Sequence, residues 1–100
     1  MLTIFQVERL SRYEEYFHTA IHQDWARYPG KATLQEMNEI MAEAGHTTRL
    51  RNFACSVCVL TFLKEVGGAY YIAKEQILEE KNRREAIKAT IEDSHKITSL

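Results

Sequence analysis

Two pairs of side chains stand at spacings that chemistry can use. Cys55-Ser56-Val57-Cys58 is a C-x-x-C, and His18 and His22 are four residues apart. A C-x-x-C becomes redox-active at a helix N-terminus, where the backbone dipole favours the thiolate. Phe53 to Leu63 is apolar except for Ser56 and Thr61, so the sequence places this motif within a buried helix. Buried apolar surroundings raise a thiol pKa, and packed, inert cysteines are the expectation. Two helical imidazoles and two thiols also make a Cys2His2 inventory, so His18, His22, Cys55 and Cys58 are the candidate metal ligands should zinc bind. The histidines fall off the apolar stripe of their own helix, and a zinc ribbon carries its C-x-x-C in a turn. No metal and no cofactor are therefore expected.

Glu15/His18, Glu43/His46 and Glu92/His95 match the Glu-x-x-His spacing of carboxylate-bridged di-iron bundles. Such a site needs two motifs and further glutamates pointing inward. Gly45 separates Glu43 from His46, and such matches arise readily in a glutamate-rich chain. No G-x-S-x-G, phosphate-cradling glycine loop or H-E-x-x-H occurs, and no catalytic residue is nominated. Arg49, Arg51 and Asn52 stand where a second helix would begin after a tight turn, the place of base-contacting side chains in a helix–turn–helix. That makes a DNA-binding regulator the alternative reading. Against it, Lys and Arg number 13 against 14 for Asp and Glu, without the basic excess phosphate binding demands.

The elements that must position these groups follow from periodicity. Leu50 to Val66 is the most apolar stretch. Thr47 and Thr48 can cap its start, and Gly67-Gly68 offers a stop, so a central helix is expected over about 48–66. Before it, Val7, Leu10, Tyr13, Phe17, Ala20, Ile21, Trp25 and Tyr28 recur at helical spacing, which predicts one amphipathic helix from about Thr3 to Tyr28, ended by Pro29-Gly30. Thr33-Leu34-Gln35-Glu36 fits a capping box opening a second helix that Gly45 ends. After Gly67-Gly68 a fourth helix is expected over 69–93. Its first half packs on the core and its second half, opening with the polar run Glu79 to Glu85, projects into solvent, or serves as an intersubunit arm that covers Ile77, Ile87 and Ile91.

The fold expected is all-α: a single domain over 1–93, four helices around the central apolar one, the C-terminal helix partly projecting, and a frayed tail over 94–100. One hundred residues, 45% of them apolar, can bury one core without disulfides or metals. The N-terminus shows no signal-peptide pattern, the cysteines make no secreted framework, and the central run is too short for a bilayer. A cytoplasmic protein with no membrane partner is expected. Aromatic and aliphatic residues exceed what a short chain buries easily. The leading reading is a non-enzymatic protein-interaction module, an adaptor or regulator that forms a homo-oligomer and meets another protein. Tyr16, Trp25, Tyr28, Tyr70, Tyr71, Ile87 and Ile91 are the interface candidates.

Overall fold

The structure is a computed structural model; it describes the backbone of residues 2–98 and the side chains of 2–85. Four helices follow in order: α1 (Ile4–Ser11), α2 (Glu14–Gln23), α3 (Lys31–Glu43) and α4 (Ser56–Thr98). No strand occurs among the described residues. The bundle is all-α, and the apolar part of α4 is its centre. No helix among the described residues is long and apolar enough to cross a membrane.

The first amphipathic stretch is two helices, not one. Thr3 and Gln6 open α1 with a reciprocal capping box, Gln6 N–H to Thr3 Oγ1 at 3.3 Å and Thr3 N–H to Gln6 Oε1 at 2.9 Å. At the far end the Ser11 hydroxyl donates to the Glu8 carbonyl, the local competition with the helix ladder that serine often introduces. The Tyr13 N–H then bonds Leu10, three residues back, and Tyr13 takes φ −111°, ψ 13°. α2 ends at Asp24, which adopts the left-handed conformation at φ 52°, a position where Asp is among the few tolerated side chains. The helix thus stops at Gln23, six residues before Pro29, and Trp25 to Gly30 form an open connection.

α3 begins three residues earlier than its capping-box motif suggests. Gly30 is its N-cap, so Thr33 lies within the first turn, and Glu36 accepts the Tyr13 hydroxyl at 2.5 Å instead of reaching back. Its other end is as expected. Gly45 sits at φ 77°, the Gly45 N–H bonds Ala42, and the His46 N–H bonds Met41, the paired bonds of a Schellman stop.

The central helix starts eight residues later than expected. The Asn38 side chain brackets Leu50, accepting its N–H at 2.8 Å and donating to its carbonyl at 2.9 Å. Asn52 then turns the chain by accepting the Ala54 N–H. These bonds occupy backbone groups that a helix from Thr48 would need. Beyond Ser56, α4 runs without a stop, and Gly67-Gly68 do not end it. The reason is packing. A Cβ on Gly67 would lie 2.7 Å from Phe17 Cβ and 3.0 Å from Ile21 Cδ1, so this glycine lets the backbones of α2 and α4 close on each other. The two helices run antiparallel: Glu14 meets Tyr70 and Lys74, whereas Asp24 pairs with Lys64.

The core gathers Val7 and Leu10 of α1, Phe17 and Ala20 of α2, Leu34, Met37, Ile40 and Met41 of α3, and Val59, Phe62, Leu63, Val66, Tyr70 and Ala73 of α4. Beyond Ala73 only Ile77 is partly covered among the described side chains, so the helix projects. The radius of gyration is 18.6 Å, against about 13 Å for a compact domain of this length. Residues 94–98 of the expected tail belong to α4 by their backbone, and their side chains, like Ser99 and Leu100, lie outside the described residues.

The two neighbouring glycines should respond oppositely to alanine. Gly68 has open space around it, so Gly68→Ala should stabilise the fold by about 0.5–1 kcal/mol through helix propensity alone. Gly67→Ala should destabilise it by about 1–2 kcal/mol, because overpacking against Phe17 exceeds the same gain. Urea midpoints of the two variants check both signs.

Candidate functional site

A cleft lies where α2 and the connection after it pass α4. It has a volume of about 510 Å³. Tyr16, Trp25 and Tyr71 form its apolar walls, and Glu14, Glu15 and Arg27 are among the charged groups at its edge. Trp25 is 58% exposed, a large aromatic surface left uncovered by the chain itself. Tyr16 and Tyr71 are half-buried.

Beside the cleft, a polar cluster gathers at the start of α2. Glu14 accepts the Tyr70 hydroxyl at 2.6 Å and the Lys74 ammonium at 3.1 Å through each carboxylate oxygen. The Tyr70 and Lys74 hydrogen bonds, in that order, hold the Glu14 carboxyl below its ordinary value. A carboxylate in a first helical turn is also favoured by the helix dipole. Burial, and then the Glu14 carboxylate at its hydroxyl, push the Tyr70 phenol far above its own ordinary value. Burial also raises Tyr71, with Glu14 adding to it. The Tyr70 ring is tilted against Phe17 at 5.5 Å, takes Tyr71 edge-on at 5.2 Å, and has the Lys74 ammonium 5.7 Å from its centre.

Three of the seven interface candidates, Tyr16, Trp25 and Tyr71, therefore line one cleft. Tyr28 is exposed and lines a smaller hollow of about 120 Å³ with Phe53 and Val59. Tyr70 does not belong to a surface: it is fully buried, and its partners are Glu14, Phe17 and Tyr71. The sequence could not separate it from Tyr71, because adjacent helical positions point about 100° apart and only the packing of α2 selects between them. The side chains of Ile87 and Ile91 lie outside the described residues.

The parts of a helix–turn–helix are not assembled. Arg49, Arg51 and Asn52 stand in the extended connection between α3 and α4, not on a helix start. Arg49 donates to the carbonyls of His46 and Thr48, and Asn52 makes the turn already described. The candidate metal set is not brought together either. His18 and His22 are exposed, with ring centres 4.6 Å apart on α2. Cys55 and Cys58 lie beyond the end of α2 that Asp24–Lys64 marks, and their sulfurs are bonded to each other. No group of three or more His, Cys, Asp or Glu side chains among the described residues converges for a metal ion.

The cysteine pair stands at a helix end, not in the helix interior that its apolar neighbours predict. Because α4 starts at Ser56, the C-x-x-C is not mid-helix; Cys55 occupies the N-cap position, and Cys58 lies in the first turn. The Val59 N–H donates to the Cys55 carbonyl and the Cys58 N–H to Cys55 Sγ at 3.1 Å. Both cysteines are half-buried, not sealed in the core. The signal that could have revealed this is Asn52, whose side chain favours a turn just before the motif.

Comparisons with known proteins leave the fold and this geometry to speak for themselves: no protein-family model, curated protein or solved structure matches the chain.

The Glu14 cluster sets a pH dependence of stability. Glu14 has a lowered folded pKa, so its contribution is complete above the unfolded value of about 4.5 and is lost as pH falls through the folded value. Tyr70 has a raised pKa, so its contribution is complete below 10.0 and is lost as pH rises through the folded value. Tyr70→Phe should cost about 1 kcal/mol at neutral pH, the loss of a hydrogen bond to a partly exposed charge. It should also flatten both limbs of the stability–pH profile, which thermal melts from acid to alkaline buffer would record.

Proposed function

We propose that this chain is a non-enzymatic helical interaction module that assembles with a second copy of itself along the projecting part of α4. The observation that carries this reading is the register of that helix. Val59, Leu63, Val66, Tyr70 and Ala73 face the bundle at alternating steps of four and three, and Ile77, half-buried, is next in the series. The same steps continue to Glu80, Arg84, Ile87 and Ile91. Alternation of that kind is the seam of a coiled coil, and here it runs on past the point where the chain supplies its own cover.

The charges in the seam favour one orientation. A parallel pair would set Glu80 against Glu80 and Arg84 against Arg84. An antiparallel pair crossing near Asn82 sets Glu80 against Arg84 twice and Ile77 against Ile87 twice. In the single chain Arg84 donates to Glu80 at 2.5 Å across one helical turn, both side chains being exposed, so each is free to exchange that partner for its equivalent in the second copy. Polar pairs within an apolar seam commonly fix register and orientation at some cost in stability. The aromatic cleft at Trp25 is lined by Tyr71 of α4, before the projecting part of that helix begins, and is left open for a second protein.

Sedimentation across a hundredfold concentration range tests the reading. The native chain should pass from monomer to dimer. Glu80→Lys should raise the dissociation constant about tenfold or more by setting like charges together, and adding Arg84→Glu should restore it. A monomer at every concentration, or a Glu80→Lys variant that associates as the native chain does, would overturn it.

A further inference from the structure

We propose that Cys55 and Cys58 form a reversible dithiol–disulfide site that exchanges with small anionic thiols. The inference is independent of self-assembly. It rests on three features of the start of α4. The two sulfurs are bonded across only two intervening residues, so the crosslink ties together no distant parts of the fold and its opening leaves the core in place. A structural role would call for a longer closed loop, since the constraint a disulfide puts on the unfolded chain grows with loop length.

The second feature is the asymmetry between the sulfurs. Cys55 Sγ accepts the Cys58 N–H at the open end of α4, where unpaired backbone N–H groups and the helix dipole favour negative charge. A thiolate at Cys55 is therefore stabilised where it stands, which makes it the better leaving group. The third feature is access. Cys58 lines an open groove of about 420 Å³ together with Arg49, Arg51, Asn52 and Glu65. Two guanidinium groups against one carboxylate leave the groove net positive. Arg49 is fixed by its bonds to the carbonyls of His46 and Thr48, at 2.7 and 2.6 Å. On the opposite side of the helix start, Tyr28 is the titratable group lining the neighbouring hollow.

The exchange balances with a monothiol as reductant. A thiolate RS⁻ entering the groove attacks Cys58 Sγ. The Cys55–Cys58 bond breaks, its electron pair leaves on Cys55 as a thiolate, and Cys58 is held as a mixed disulfide with R. A second RS⁻ attacks the R sulfur of that disulfide, releasing RSSR and the Cys58 thiolate, which takes a proton from water. Two electrons pass from two thiols to the pair, and oxidation by RSSR reverses the steps.

Glutathione, a thiol with two carboxylates, is the probe. The full chain is equilibrated with graded ratios of reduced to oxidised glutathione, acid-quenched, alkylated and weighed by mass spectrometry. The pair should pass from dithiol to disulfide within the series; a pair that stays in one state throughout overturns the proposal. Cys55→Ser should accumulate one glutathione on Cys58, and its absence there also counts against it. In Cys58→Ser, alkylation of Cys55 should have a pH midpoint about one unit or more below the ordinary thiol value of about 8.5, and a midpoint at or above that value contradicts the asymmetry. Arg51→Gln should slow reduction by glutathione severalfold but not by uncharged 2-mercaptoethanol, whereas equal rates for both reductants remove the anionic preference. Circular dichroism of each variant confirms the fold, and the native titration stands without the variants.

Discussion

Phe17 and Gly67 meet with no room for a methyl group between them, and the placement of much of the chain follows from that contact. Because the backbones of α2 and α4 can close at this point, Phe17, Ala20, Val66 and Tyr70 are all fully buried. The same closeness brings the first turn of α2 alongside Tyr70 and Lys74, so that Glu14 can bridge them. It also brings Tyr16 and Tyr71 to the lining of one cleft. A side chain at position 67 would wedge the helices apart and weaken each of these relations together.

A glycine chosen for close approach carries a cost, since it lowers helix propensity by about 1 kcal/mol relative to alanine, and two adjacent ones roughly double it. Tertiary packing offsets that cost here: the flanking turns of α4 present Leu63, Val66, Tyr70 and Ala73 to the bundle. The helix therefore continues where isolated propensity would end it, and its continuation creates the arm. One helix is then both the centre of the core and, beyond Ala73, the projecting surface. The N-terminus of the same helix holds the cysteine pair, at the opposite end from the arm.

Much of the architecture could be read from residue spacing, because it depends on local pattern. The apolar stripes of α2 and α3, the Gly45 stop and the burial of Val59, Phe62, Leu63 and Val66 all follow from neighbours within a turn or two. What could not be read depends on residues far apart in the chain. Gly67-Gly68 looks the same whether it ends a helix or admits Phe17, fifty positions away. Thr33 and Glu36 matched a cap, but Tyr13 had taken Glu36. Thr48 looked like a helix start, but Asn38 had taken the backbone of Leu50. That last displacement moved the cysteines from a helix interior to a helix end and so changed their chemistry. Tyr70 and Tyr71 are equal candidates for an interface by residue type, and the packing of α2 buries only the first completely.

Amide hydrogen exchange along α4, resolved residue by residue by NMR, tests the central contact most directly. An unbroken helix packed on Phe17 predicts that the amides of Gly67 and Gly68 exchange as slowly as those of Val66 and Tyr70, with cross-relaxation between the Gly67 α-protons and the Phe17 ring. Fast exchange at the two glycines, with coil chemical shifts and no signal to Phe17, would contradict the account.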